Sequence, residues 1–222
     1  MSQIKVCGIT RLEQLQQLHD AGIAYAGIIF YPLSTRYAIP TLGERGAEVR
    51  RLSIKKIGVF VNEASPVIER AVTEYDLYAV QLHGDETPAF CQSLKTKTKV
   101  IKAFRVKPEA NLDSLVSPYQ EACDYFLFDT SPAAASSAAE PGMYGGTGKQ
   151  FDWNLLASAK INKPFFLSGG IGPEDVEQLH DLSHPFLHAV DINSRFESLP
   201  GVKNMDEVRK FSAAAGSPNG WR

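Results

Sequence analysis

Short apolar runs, rich in β-branched and aromatic residues, recur along the whole chain and determine its predicted architecture. The intervals between the starts of consecutive runs are 21, 31, 21, 23, 25, 39 and 22 residues. An interval of this size accommodates one strand, a helix of about three turns and two short loops. The eight runs are IKVC from Ile4, YAGIIF from Tyr25, KIGVFV from Lys56, LYAVQL from Leu77, VIKAF from Val100, YFLFD from Tyr125, PFFLSGG from Pro164 and FLHAVD from Phe186.

The intervals between these runs carry helix signals. Thr10-x-x-Glu13 predicts a capping box, Leu15 and Leu18 follow at helical spacing, and Gly22 predicts the end of the helix. Further helix starts are predicted at Ser65-Pro66, Gly172-Pro173 and Asn204-x-x-Glu207. Strand and helix therefore alternate along the chain.

Eight strand–helix units whose strands are apolar on both faces favour parallel strands covered by helices. The prediction is an α/β fold, a single (β/α)8 TIM barrel over residues 1–213, followed by a frayed tail over 214–222. An open doubly wound sheet is the alternative. It would normally place a glycine-rich turn after the first strand, where Cys7–Thr10 contains one glycine.

Composition narrows the possible partners. The chain has 222 residues with 23 basic and 25 acidic side chains, a net charge of −2, and no block of like charges. This balance argues against binding to nucleic acids or to an acidic membrane surface. Its three cysteines do not form a disulfide framework or a zinc pattern, and no run approaches the ~18 apolar residues of a membrane span. With no signal peptide at its amino terminus, we predict a cytoplasmic protein.

Polar residues at the predicted strand ends are the candidates for chemistry, because barrel active sites lie at the carboxyl ends of the strands. Cys7 ends the first strand, and Lys5 points to the same side one layer below it. A nearby cation would favour the thiolate and make Cys7 a base or a nucleophile. The alternative is that Cys7 is a small buried apolar residue.

A carboxyl group ends the sixth run, at Asp129. It is either a turn cap or an acid whose proton affinity is raised by apolar surroundings, as a general acid requires. Gln81 and His83 point to one side at the end of the fourth run, and we interpret both as supporting residues, together with Lys5.

Two glycine clusters, Gly145–Gly148 and Ser168–Gly170, offer successive backbone amides that could hold a phosphate. The first cluster lies in the 39-residue interval between the starts of the sixth and seventh runs. The Ala/Ser-rich segment that precedes the cluster in this interval is either a lid or an insertion without a role. Together, the two glycine clusters, Cys7 and Asp129 indicate a site that binds a phosphorylated small molecule next to one thiol and one carboxylic acid.

These motifs resemble those of the phosphoribosylanthranilate isomerase family across nearly the whole chain. The matching elements are KVCGIT from Lys5, F-x-x-x-S-x-R from Phe30, GVFV from Gly58, VQLHG from Val80, FDT from Phe128, GGTGK from Gly145, LSGGI from Leu167, and DINSRFES-x-PGVKN from Asp191. The resemblance implies a (β/α)8 barrel that needs no cofactor and no metal. It also implies an Amadori rearrangement of a phosphoribosyl substrate in tryptophan biosynthesis.

The resemblance further implies residue roles. Cys7 corresponds to the general base, Asp129 to the general acid, and Arg36 to the residue that meets the anthranilate carboxylate. Phosphate would lie against Gly146, Thr147, Gly148, Gly169, Gly170, Asn193 and Ser194. Two positions depart from the family pattern: Arg195 stands where many relatives have a small residue, and Asn204 where aspartate is usual. The expected assembly is a monomer or a homodimer.

Two other classes remain as alternatives. Another phosphate-binding barrel enzyme, such as indole-glycerol phosphate synthase or a pentose-phosphate epimerase, would need additional strand-end lysine and glutamate residues or a metal set. A phosphoribosyl-binding protein without activity would keep the glycine loops but would need neither Cys7 nor Asp129.

Overall fold

Eight parallel strands close into a barrel in the computed structural model, which describes residues 3–107, 109–130, 151–182 and 184–215. Each strand pairs with the next, and β1 pairs with β8 to complete the circle. The strands are β1 Gln3–Val6, β2 Tyr25–Ile29, β3 Lys55–Phe60, β4 Leu77–Leu82, β5 Lys99–Val106, β6 Tyr125–Thr130, β7 Phe165–Leu167 and β8 Leu187–Ile192. The predicted (β/α)8 barrel is confirmed, and the open sheet is excluded.

Helices follow the strands and cover the outside of the barrel. They are α1 Leu12–Asp20, α2 Ile39–Leu42, α3 Gly46–Arg51, α4 Ser65–Tyr75, α5 Pro88–Lys95, α6 Leu112–Val116, α7 Asn154–Ser158, α8 Val176–Asp181 and α9 Met205–Ala215. A short antiparallel pair, β9 Glu197–Leu199 and β10 Val202–Lys203, lies between β8 and α9. The last helix runs two residues past the predicted boundary at 213, and residues 216–222 lie outside the described ranges.

The predicted helix starts differ in how they are built. Helix α4 begins at Ser65 as predicted, and the Asn204 side chain accepts a bond from the Glu207 amide at 3.4 Å. The prediction of a capping box at Thr10 is wrong, because α1 begins at Leu12 and has no side-chain cap. The Thr10 hydroxyl instead donates to the Gly201 carbonyl at 2.7 Å, joining the loop after β1 to the β9–β10 turn.

The barrel interior changes character along its axis. The part of the interior away from the cavity, towards the amino-terminal ends of the strands, is called here the lower barrel. It is filled by apolar side chains from all the strands except β1, and these form one buried cluster: Tyr25, Ile57, Ala79, Ile101, Ala103, Leu127, Phe166 and Ala189. Lys5, Gln81 and Asp191 form a buried polar layer next to the cavity at the carboxyl ends of the strands. Chemistry-bearing side chains are thereby placed at that end of the barrel.

Two features of the described residues bear on possible partners. None of their helices combines the length and the apolar character that a membrane crossing requires. Within the same ranges, no group of three or more His, Cys, Asp or Glu side chains could hold a metal ion.

Candidate active site

A cavity of about 660 Å³, counted to its open mouth, lies at the carboxyl ends of the strands. Its lining brings together predicted residues from five different strands or the turns after them: Cys7, Gln81, His83, Asp129, Gly169, Gly170, Asn193 and Ser194. Residues 83, 129 and 193 are far apart in the chain, so only barrel closure makes them neighbours.

Cys7 directly follows β1 and is 5% exposed. The neighbouring strand β2 makes room for its thiol with Gly27, where a Cβ atom would lie 2.7 Å from Sγ. Any side chain at position 27 would therefore push the thiol out of its place. The packing of two strands determines the position of this sulfur atom.

The charge around Cys7 differs from the expectation. Lys5 is completely buried and donates to Asp191 Oδ2 at 2.8 Å and to Gln81 Oε1 at 2.9 Å. Burial raises the pKa of the Cys7 thiol, and the attraction of Lys5, which lowers it, does not overcome that effect. Asp191 adds to the rise by repelling the thiolate. Lys5 thus favours the thiolate, as predicted, but the net result is a thiol.

Asp129 reaches the same cavity from β6 and is 6% exposed. The Thr130 amide donates to its Oδ1 at 2.8 Å, and His83 Nε2 lies 3.4 Å from its Oδ2. His83 Nδ1 in turn lies 2.9 Å from the amide nitrogen of Gln81. The three predicted supporting residues therefore form one line of contacts that ends at Asp129.

The glycine turn after β7 brings two consecutive glycines to the edge of the cavity. Gly169 and Gly170 both have left-handed backbones, with φ of +97° and +71°. Successive amides in such a turn form a concave nest for anions. Asn193 and Ser194 line the cavity beside this turn. The other three residues of the predicted phosphate set, Gly146, Thr147 and Gly148, lie outside the described residues, as does the rest of the 131–150 segment.

Arg195, one of the two departures from the family pattern, directly follows Ser194, which lines the cavity. It forms an ion pair with Glu174, and a Cβ on Gly172 would lie 2.7 Å from its Nε. Its side chain therefore packs over the turn that follows the glycine nest. In this structure the guanidinium is engaged by Glu174.

Arg36 does not belong to the cavity lining formed by the described residues. Its Nε donates to both oxygens of Glu197 at 3.0 Å, and its Nη2 donates to Glu197 Oε2 at 2.7 Å. It nevertheless lies next to the cavity, because its amide donates to the Ser34 hydroxyl at 3.1 Å and Ser34 is a lining residue. Gly8 leaves room for its stem.

Glu197 also binds a second cation. Lys203 Nζ donates to Glu197 Oε1 at 2.6 Å and to Asn193 Oδ1 at 2.7 Å, and its side chain is fully buried. Burial lowers the pKa of Lys203 although Glu197 raises it. Sequence reasoning gave neither Glu197 nor Lys203 a role. Both stand in the long DINSRFES-x-PGVKN motif, which was the available signal.

The sequence analysis also did not predict the buried ion pair between Lys102 and Glu86. Lys102 on β5 donates to Glu86 Oε2 at 2.9 Å, and both side chains are almost completely buried. Glu86 also accepts from the Asn62 amide at 2.8 Å and from the Gly84 amide at 3.0 Å. It thereby ties the loop after β3 to the loop that follows His83. A lysine within the apolar run VIKAF was the signal in the sequence.

We expect Glu86→Ala to lower the free energy of unfolding by about 3 to 5 kcal/mol, because Lys102 is left buried without its counter-ion. Denaturant unfolding of the purified protein measures this. Glu48→Ala is the control, since Glu48 pairs with Arg45 on the surface, and such pairs contribute little. Equal losses in the two variants would contradict the structural role of Glu86.

Together, a closed parallel barrel and a thiol and a carboxyl group in one cavity beside a glycine nest define a (β/α)8-barrel enzyme. Residues 4–214 match the family model described as N-(5'phosphoribosyl)anthranilate (PRA) isomerase. The chain therefore belongs to the phosphoribosylanthranilate isomerase family, as the resemblance predicted, and it is an isomerase of tryptophan biosynthesis.

Individual relatives agree over almost the full length. An N-(5'-phosphoribosyl)anthranilate isomerase from Paracoccus denitrificans is 38% identical over 218 residues, which cover 97% of both chains. The crystal structure of the Thermotoga maritima enzyme matches with a TM-score of 0.81 and 35% identity, covering 97% of this chain and 99% of its own. A phosphoribosyl anthranilate isomerase in complex with reduced 1-(o-carboxyphenylamino)-1-deoxyribulose 5-phosphate matches with a TM-score of 0.77 and 31% identity, covering 97% and 99%.

Proposed function

We propose that this chain converts N-(5-phospho-β-D-ribosyl)anthranilate into 1-(2-carboxyphenylamino)-1-deoxy-D-ribulose 5-phosphate, with Asp129 as general acid and Cys7 as general base. One observation carries the proposal: the two groups come from β1 and β6 and line one cavity that also contains the Gly169–Gly170 nest. The complex of a 31% identical relative with a reduced form of this product supports the same reaction.

The proposed steps move only protons and electron pairs. Asp129 protonates the furanose ring oxygen, and the ring carbon–oxygen bond breaks as the nitrogen lone pair forms an iminium. The Cys7 thiolate then removes the proton from C2′, and the electron pair of that bond neutralises the iminium to give an enolamine. Tautomerisation of the enolamine gives the ketone. Each general acid or base step contributes roughly 10²- to 10⁴-fold to the rate.

The positions of the other residues suit the remaining parts of this substrate. The phosphate would lie against the amides of Gly169 and Gly170 and beside Asn193 and Ser194, with Gly146, Thr147 and Gly148 completing the proposed set. Lys5, Gln81 and His83 support the base and the acid. The proposal includes catalysis without a metal or a cofactor, action in the cytoplasm, and a monomer or a homodimer.

The guanidinium of Arg36 retains donors for the anthranilate carboxylate. Glu197 uses the edge formed by Nε and Nη2, and the guanidinium has a second edge formed by Nη1 and Nη2. The charges of Arg36, Glu197 and Lys203 sum to +1, so one bound carboxylate would make the group neutral. A planar carboxylate suits this fork.

We expect Arg36→Met to raise KM about 10- to 100-fold, with a smaller effect on kcat, because charge-assisted hydrogen bonds worth about 1.5 to 3 kcal/mol are lost. Steady-state kinetics at varied substrate concentration measure the two constants. Arg45→Met is the control, because Arg45 pairs with Glu13 and Glu48 on the surface. An unchanged KM in Arg36→Met would remove Arg36 from the substrate site.

The direct test of the proposed function generates phosphoribosylanthranilate in situ, adds the purified protein and follows the loss of anthranilate-type fluorescence. Loss with the parent protein is the expected result. A folded parent protein that binds the reduced product analogue but causes no loss of fluorescence would instead indicate a binding protein without activity.

A further inference from the structure

The contacts between Lys5 and Asp129 have a direction that follows from the chemistry of their donors. An ammonium group can only donate, so the Gln81 atom that lies 2.9 Å from Lys5 Nζ must be the carbonyl oxygen. The Gln81 amide nitrogen then faces His83 Nδ1 at 2.9 Å. Asp191 holds Lys5 in place, and the contact with Lys5 determines the orientation of the Gln81 amide.

This orientation selects one tautomer of His83. The Gln81 amide nitrogen has only hydrogens to offer, so Nδ1 must accept, and a hydrogen on Nδ1 would oppose them. The ring hydrogen therefore lies on Nε2. That atom is buried and makes no hydrogen bond with any of the described residues, and it lies 3.4 Å from Asp129 Oδ2.

We propose that Gln81 is a positioning residue for the general acid: it holds His83 in the Nε2–H tautomer and thereby directs that hydrogen at Asp129. The inference rests on the proposed function, since it assigns the group that assists its acid step. When Asp129 gives its proton to the ring oxygen, a carboxylate forms. The His83 Nε2–H donor and the Thr130 amide then face its two oxygens.

Two features of the site support this role. The Thr130 amide already donates to Oδ1 at 2.8 Å, whereas Oδ2 makes no hydrogen bond with any of the described residues and faces His83 Nε2. Both His83 and Asp129 are less than a tenth exposed, so water is largely excluded from the 3.4 Å gap between them. Catalytic hydrogen bonds are often long before substrate binds and shorten in the reacting complex.

The tautomer can be measured without substrate. Long-range ¹H–¹⁵N correlation spectra of ¹⁵N-labelled protein distinguish the two imidazole tautomers, and His83→Asn identifies the His83 signals among the five histidines. We expect the Nε2–H form in the parent protein. In Gln81→Glu the new carboxylate accepts from both Lys5 and His83, so the hydrogen should move to Nδ1. An Nδ1–H form in the parent would overturn the proposal.

Gln14→Glu is the matched control. Gln14 is also a buried amide, but it bonds the backbone of Lys203, so the His83 signals should keep the Nε2–H pattern. Gln81→Met removes the donor without adding a charge, and it serves as the second variant if Gln81→Glu fails to fold. It should give a mixture of the two tautomers, and a pure Nε2–H signal in this variant would overturn the proposal.

Kinetics separate positioning from binding. Because one hydrogen bond to the developing carboxylate is lost, Gln81→Met should lower kcat about tenfold and leave KM within about twofold. A parental kcat in a Gln81→Met protein whose tautomer is mixed would overturn the role in the acid step. Absence of turnover in the parent would contradict the proposed function itself, and the spectra would still decide the tautomer.

Discussion

Replacing Cys7 with alanine is expected to lower kcat about 10²- to 10⁴-fold, because the variant lacks the proposed base for the C2′ proton. The thiol is almost fully buried beside Gly27, so alanine removes one sulfur atom and leaves the backbone in place. The circular dichroism spectrum and the affinity for a reduced product analogue should stay close to those of the parent. The fluorescence assay gives kcat.

Cys91→Ala is the matched control for this variant. Cys91 is also a buried free cysteine, but it lies on α5, away from the cavity. Its replacement should leave kcat near the parental value. A Cys7→Ala enzyme with near-parental turnover would show that another group is the base.

The pH dependence of an Asp129→Asn enzyme, which has no titratable acid at position 129, provides a second measurement on Cys7. Burial raises the pKa of the Cys7 thiol above its ordinary value, so the thiolate is the minor form at neutral pH. The proposed base acts as the thiolate, so the residual kcat/KM of this variant should rise with pH, up to tenfold per pH unit, until the pH reaches that raised pKa. A kcat/KM that falls over this range would contradict a thiolate base.

Asp129→Asn is expected to lower kcat by about 10²- to 10⁴-fold with little change in KM, because asparagine has the same shape but no acidic proton for the ring oxygen. Its amide oxygen can still accept from the Thr130 amide, which preserves the end of β6. Rates at saturating substrate measure the loss in the chemical step.

Asp85→Asn is the control for the acid. Asp85 lies in the loop after β4, and its side chain is 81% exposed. We expect its replacement to leave kcat near that of the parent. If Asp129→Asn and Asp85→Asn lost activity equally, the effect would reflect charge at the mouth of the barrel rather than proton donation.

The barrel could be predicted from the sequence because the determining signal is local and repeated. Each strand of a parallel barrel is buried on both faces, so it appears as a short apolar run. The helix ends were less predictable. Thr10 and Glu13 satisfy the spacing of a capping box, but the Thr10 hydroxyl binds Gly201, which is 191 residues away in the chain. The Thr10 hydroxyl therefore donates to a distant carbonyl and does not cap the backbone amides of α1.

The convergence of Cys7 and Asp129 in one cavity was predictable from the sequence, whereas the contact between Arg36 and Glu197 was not. Cys7 and Asp129 end apolar runs, and parallel strands bring their carboxyl ends to one face, so their convergence followed from the fold. The partner of Arg36 did not, because Glu197 is 161 residues away and lies on β9, a short strand that no apolar run marks. The net effect of burial on Cys7 also depends on solvent exposure, which spacing alone does not report.

The solid packing of the lower barrel has a kinetic consequence. Ile57, Ile101 and Leu127 are completely buried there, and Phe166 is 1% exposed, so in the described part of the chain no passage leads from the cavity through the opposite end. Reactant and product then share one doorway, and each turnover must finish its exit before the next entry. We therefore expect bound product to block the entry of substrate, so that added product should inhibit competitively in initial-rate assays.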